Sequence, residues 1–206
     1  MCGVVAFSGN GSQGHRATFV LLCIEATIRG QHAFGIAYHD GQRVQVFKST
    51  SFGEVLKAIP NPLPQRIVFH NRYCTSGDYR VMANNQPLFV GGDALAFNGT
   101  VDMGTKQEME QRHNTTLTTD NDGELVLQDI KNGKPFRTIS DNLATFAGVF
   151  LGGNGRMFAF RNEMRPLWCV PVSDGKFIVS TRDIARRAIL DVSKAYPIKA
   201  NEIMDL

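Results

Sequence analysis

The chain has 206 residues, 43% of them apolar, with 22 basic against 19 acidic side chains; that is enough apolar residue to bury one sizeable core at a net charge of only +3. Such a balance argues against a nucleic-acid binder, no apolar run approaches the roughly 20 residues of a membrane span, and no charged-then-apolar leader opens the chain, so a cytoplasmic location is expected. Cys2, Cys23, Cys74 and Cys169 lie far apart with no CxxC pair, which disfavours a zinc site or a disulfide framework and leaves four reduced thiols.

In chain order, Val4 to Phe7 reads as a buried strand running into the glycine-rich loop Ser8 to Gly14. Arg16 to Arg29 has helical spacing, with Phe19, Leu22, Cys23 and Ala26 on one face and Gly30 at the C-terminal cap. Gly35–Tyr38 and Val44–Phe47 form a hairpin across Asp40-Gly41. Ser51 and Glu54 have the spacing of a capping box for a short helix to Ile59, which Pro60, Pro62 and Pro64 stop. Strands are expected at Arg66–His70, Leu88–Val90 and Ala94–Phe97.

Thr105 and Glu108 cap a helix to about His113, and Asp122 stands where it can N-cap another to Lys131. A further helix is expected over Ser140–Phe146. Strands follow at Val149–Leu151, Met157–Arg161, Leu167–Val172 and Phe177–Ser180, and Thr181 opens a helix through Leu190 whose Arg182, Arg186 and Arg187 read as a solvated face. Strand runs broken by helices, with no repeat or linker, indicate layered sheets covered by helices in one domain.

Cys2 is the residue with the sharpest chemical reading. An initiator Met is removed readily before a small side chain, and the new terminus would carry a thiol and a free α-amine on one residue. An N-terminal amine has a pKa of about 7.7 to 8, so a useful fraction is neutral and can take the thiol proton directly or through water. The plain alternative is a small residue starting a buried strand.

Several short segments then match one family in order. Met-Cys-Gly resembles the nucleophile segment of the class II glutamine amidotransferases, which are N-terminal nucleophile (Ntn) hydrolases. Arg29 to Ala37 resembles their RGxDxxGIA stretch, with His32 where Asp is usual. His70 to Gly77 resembles the HxRYSTxG loop of the amidophosphoribosyltransferase branch, Asn85-Gln86-Pro87 its NAQP turn, and Asn98-Gly99 its HNG turn with Phe97 replacing His. Asp122 to Leu125 resembles the D[ST]E[VIL] helix start, and Arg161 with Arg165-Pro166-Leu167 a shortened RDxxGxRPL hairpin.

The resemblance implies an α+β fold, a four-layer αββα sandwich with two antiparallel sheets, as a single domain over residues 2–206 with Met1 removed. It implies hydrolysis of L-glutamine to glutamate and ammonia through a thioester on Cys2, with Asn98 and the Gly99 N–H as oxyanion donors. Arg72 would bind the α-carboxylate as a planar fork, Asp122 the α-ammonium, and Tyr73, Thr75 and Ser76 would complete the pocket; the spacing of Asp120 fits the motif as well. No metal or organic cofactor is implied. No synthase segment is recognisable in the 206 residues, so the expected partner is a separate ammonia-accepting synthase, docked near Pro60–Pro64 or Arg182–Arg187. Rival readings are an N-terminal-cysteine hydrolase of another amide and a non-catalytic regulatory subunit.

Overall fold

Val4 and Ala6 alternate with Val5 and Phe7 along β1 (Gly3–Gly9), and all four are fully buried, so this strand has no solvent face. The computed structural model, which describes residues 1–133, 144–188 and 190–206, accounts for both faces. β1 sits inside a seven-stranded antiparallel sheet whose order is β11 (Tyr196–Pro197), β9 (Trp168–Val172), β10 (Gly175–Val179), β1, β4 (Arg66–Arg72), β2 (Ala33–His39) and β3 (Val44–Ser49). A five-stranded antiparallel sheet runs β12 (Ile203–Asp205), β8 (Met157–Arg161), β7 (Thr145–Leu151), β6 (Asp93–Thr100) and β5 (Leu88–Val90).

The two sheets meet through small residues. Ala6, Ala37, Ala94, Ala96, Ala147 and Ala159 join Val4, Val68 and Val149 in the layer between them, as expected where two pleated faces approach to about 10 Å. Bulk is placed on the outer faces. Phe7, Phe69 and Phe177 pack under α1 (Gln13–Ala26), α2 (Phe52–Ala58) and α5 (Arg182–Arg187). Phe97, Phe146, Phe158 and Phe160 pack under α4 (Gly123–Lys131), while Met109 of α3 (Lys106–His113) packs with Leu117 and Leu125. The result is the four-layer αββα arrangement expected. Among the described residues no helix is long and apolar enough to cross a membrane.

Local hydrogen bonds correct several boundaries. α1 starts at Gln13, three residues early, because Ser12 Oγ accepts from His15 N at 3.2 Å and caps it. The capping box at Ser51 does not form: Glu54 accepts from Ser49 Oγ at 2.5 Å, and Ser49 Oγ in turn accepts from Ser51 N. The box at Thr105 and Glu108 does form. Thr145 and Phe146, expected at the end of a helix, begin strand β7 instead; Ser140 to Leu143 lie outside the described residues. α5 stops at Arg187. The short strands β11 and β12 were unexpected, since two- and three-residue strands have too few residues to show alternation.

One buried side chain bridges the sheets. His70 of β4 faces the Phe97 carbonyl of β6 through Nε2 at 3.1 Å, and burial lowers its pKa to about 3. Its folded pKa lies below the unfolded value of about 6.5, so the unfolded chain takes up a proton first on acidification; stability falls by about 1.4 kcal/mol per pH unit in the window between the two values. His70→Gln, which keeps an amide donor and does not titrate, should flatten the pH dependence of urea-unfolding free energy between pH 6 and 4. An unchanged slope would contradict this reading.

Candidate active site

The β1 register sets Gly3 opposite Asn71 of β4, so the residue before Gly3 meets the end of β4. There the Cys2 thiol lies 3.4 Å from Tyr73 N, which donates to it, and 3.6 Å from the Tyr73 carbonyl, which accepts from it. Arg29 Nε donates to the Cys2 carbonyl at 2.8 Å, and Cys2 N donates to Asn98 Oδ1 at 3.1 Å. The backbone on both sides of the sulfur is thereby fixed. Burial raises the thiol's pKa above its ordinary value, against the lowering effects of the Tyr73 hydrogen bond and of Arg72 and Arg29. A protonated thiol attacks slowly, so this sulfur needs a base.

Asn98 and Gly99 were expected in a turn but lie within strand β6, paired with Ala147 and Phe146 of β7. The strand aims the Asn98 amide at the N-terminus of the chain. Its oxygen is used by Cys2 N, whereas its Nδ2 is buried with no hydrogen-bond partner among the described residues. Buried orphan donors are rare and costly, so this N–H₂ group is a ready donor for an oxygen arriving beside the thiol. Gly99 has no room for a side chain: a Cβ there would lie 2.1 Å from the Thr145 carbonyl and 2.6 Å from the Phe97 ring.

Arg72 ends β4 and is almost fully buried. Nη1 donates to Asn85 Oδ1 at 2.7 Å, and Nη2 donates to the Ser76 and Gly77 carbonyls. Burial lowers its pKa, countered by the nearby Cys74, Cys2, Asp122 and Asp78. The Asp122 carboxylate is buried as well. It does not cap α4, whose Gly123 N–H goes to Asn121 Oδ1; it accepts from Val101 N at 2.7 Å, Asp102 N at 3.3 Å and Ser76 Oγ at 3.0 Å. Burial raises its pKa in spite of these bonds. Asp120 accepts instead from Asn84 Nδ2, and with Thr75, Ser76, Gly77 and Lys106 it lines a cavity of about 350 Å³. Arg72, Ser76 and Asp122 therefore form one hydrogen-bonded group, and Asp120 faces the Thr75–Gly77 backbone across the cavity they share.

The departures from the family pattern are legible in the geometry. His32 Nδ1 accepts from Cys74 N at 2.9 Å, so an acceptor is present where Asp is usual. Phe97 keeps its backbone in place, its N–H bound to Gln86 Oε1 at 2.5 Å, and turns its ring into the core under α4. Gly30 lets the turn after α1 press on β4: a Cβ there would lie 2.5 Å from the Arg72 carbonyl carbon. Cys74 donates its S–H to the Gly77 carbonyl at 2.8 Å, the contact of a packed small residue. Sequence reasoning gave no role to Arg29, Asn85 or Lys48. The first two stand inside the recognised motifs. Lys48, held by the Asn85 carbonyl at 2.8 Å with its pKa lowered to about 8 by burial and by Arg72, gave no signal, since a lysine near a strand end reads as solvated.

No family model matches the chain. It is 34% identical over 191 residues to an amidophosphoribosyltransferase of Synechococcus elongatus, an alignment covering 81% of this chain and 37% of that protein. The fold superposes on the glutamine phosphoribosylpyrophosphate amidotransferase of B. subtilis with a TM-score of 0.75 at 20% identity, over 99% of this chain and 47% of that one. The chain is a class II glutamine amidotransferase domain. A second relative, a glutamine–fructose-6-phosphate aminotransferase of Bacillus licheniformis, is 30% identical over 135 residues, 64% of this chain and 22% of its own length. The amidotransferase domain thus spans well under half the length of the curated relatives it matches. It also covers 93% of a glutamine aminotransferase class-II domain protein from Silicibacter pomeroyi, at a TM-score of 0.60 and 12% identity, a likeness of fold.

Proposed function

We propose that this domain hydrolyses L-glutamine to glutamate and ammonia, and that the mature enzyme begins at Cys2 after loss of Met1. The observation that carries the proposal is Asn98: its oxygen holds the Cys2 nitrogen at 3.1 Å while its buried Nδ2 has no partner among the described residues. The Cys2 thiol attacks the γ-amide carbon as the freed α-amine accepts the thiol proton. The carbonyl oxygen, now negative, is received by Asn98 Nδ2 and the Gly99 N–H. The amine returns the proton to the leaving nitrogen, ammonia departs, and water, deprotonated by the same amine, cleaves the thioester to glutamate.

Substrate binding follows from the charge pair. The α-carboxylate takes the place of the Ser76 and Gly77 carbonyls on the Arg72 fork, and the α-ammonium is received by the Asp122 carboxylate oxygen that faces Ser76. Arg72→Lys replaces that fork by a compact ammonium, so KM for glutamine should rise at least about tenfold with kcat changed far less. An equal fall in kcat would remove Arg72 from ground-state binding and favour a hydrolase of some other amide. Because Asp122 must be ionised to pair with the ammonium and its pKa is raised by burial, KM should begin to climb on acidification above the pH at which an exposed aspartate protonates.

Ammonia freed here is supplied to a separate synthase, and the place for that partner is the Cys2 end of the sandwich. Ile28 and Tyr73, both at least half exposed, adjoin Arg29 and Cys2, and the exposed Met164 adjoins Arg165. The Pro60–Pro64 stretch is less suited: it precedes Arg66, which pairs with Ser8 at the far end of β1, about 20 Å from Cys2 at the rise of an extended strand. Glutamine hydrolysis measured with and without the candidate synthase and its acceptor tests this, with stimulation expected; full activity indifferent to any partner would favour an independent amidohydrolase.

A further inference from the structure

The segment from Tyr73 to Tyr79 leaves β4, passes the Cys2 sulfur, supplies Ser76 and Gly77 to Arg72, and returns toward the Asn85 turn, where Asn85 Nδ2 donates to the Tyr79 carbonyl at 2.7 Å. Both ends of it close on a single side chain. The His32 ring stacks on Tyr73 at 5.2 Å between centroids and 25°, and on Tyr79 at 5.0 Å and 20°. Between these contacts its Nδ1 accepts from Cys74 N at 2.9 Å. His32 is itself anchored, since its backbone N–H donates to the Arg72 carbonyl at 3.0 Å.

We infer that His32 is a positioning residue, a clasp that ties both ends of the Tyr73–Tyr79 segment beside the glutamine pocket through one accepted hydrogen bond and two ring stacks, so that only its middle, Ser76 and Gly77, has to leave Arg72 when the carboxylate arrives. The inference rests on the glutaminase reading for its effect on catalysis. An aspartate at this position would supply the acceptor alone; the imidazole adds two flat faces that tie the beginning and end of the segment together. A pre-ordered segment lowers the entropy lost when substrate binds, and that gain lies in ground-state affinity.

Two substitutions separate the contributions. His32→Phe keeps a ring between the tyrosines and removes the acceptor; His32→Asn keeps an acceptor and removes the ring. Each should raise KM for glutamine, by about five- to tenfold for the loss of one net hydrogen bond or stacking pair, with kcat within about twofold. His32→Asp should match His32→Asn. In the protein without substrate, amide hydrogen exchange of the peptide covering residues 73–79 should accelerate in both variants, while strand β1 exchanges as before. Unchanged exchange and unchanged KM in both variants would overturn the inference, as would a loss confined to kcat. Should the unaltered protein show no glutaminase activity, the proposed function fails by itself, and the exchange measurement still decides whether His32 holds the segment.

Discussion

Cys2→Ala is expected to abolish glutamine hydrolysis, lowering kcat by at least about 10⁴-fold, the scale seen when a covalent nucleophile is removed. The fold should survive. The thiol makes only two long contacts, both to Tyr73 backbone atoms, and the strand it precedes is held by full ladders to β4 and β10. The other thiols do not substitute for it: Cys23 and Cys169 are buried in the two core layers, and Cys74 is bound to the Gly77 carbonyl. Circular dichroism and thermal unfolding of the variant should therefore overlay the parent. Residual activity within tenfold of the parent would mean that another group attacks the amide.

Asn98→Ala should cost about 10² to 10³ in kcat with little change in KM, because an oxyanion donor acts on charge that develops only as the thiol attacks. The alanine also frees the Cys2 nitrogen from its Oδ1 anchor. Asn98→Asp separates the two roles: it keeps an acceptor for the nitrogen and removes the Nδ2 donor. If the donor matters, the aspartate variant should be at least as slow as the alanine variant. If the anchor alone matters, the aspartate variant should recover most of the activity.

Much of this architecture could be read from the chain because its signals are local. The unbroken apolar run Val4–Phe7 and the helical spacing along Phe19–Ala26 each report burial within a few residues. Misreadings arose where a distant partner decides. Ser51 looked like a cap until Ser49 took its Glu54, and Asp122 looked like a cap while its carboxylate reached back to Val101, Asp102 and Ser76. Asn98-Gly99 has the composition of a turn, but seven consecutive pairs to β7 hold it extended.

The site was legible as a set of motifs and silent about geometry. Nothing in the sequence says that Arg72 donates to the carbonyls of its own following loop, or that the replacement of Asp by His32 retains an acceptor and adds a ring between two tyrosines. The sequence is likewise silent on the partners of the two aspartates: Asp122 accepts from Ser76 Oγ, whereas Asp120 accepts from Asn84 Nδ2.

The central claim, an N-terminal Cys2 that attacks glutamine, is tested most directly by reacting the protein with a diazo-ketone analogue of glutamine and following it by intact mass and peptide mapping. The account predicts one adduct per chain, on the Cys2 thiol of protein lacking Met1, and protection by glutamine. An adduct on Cys74, or full labelling of chains that retain Met1, would contradict it.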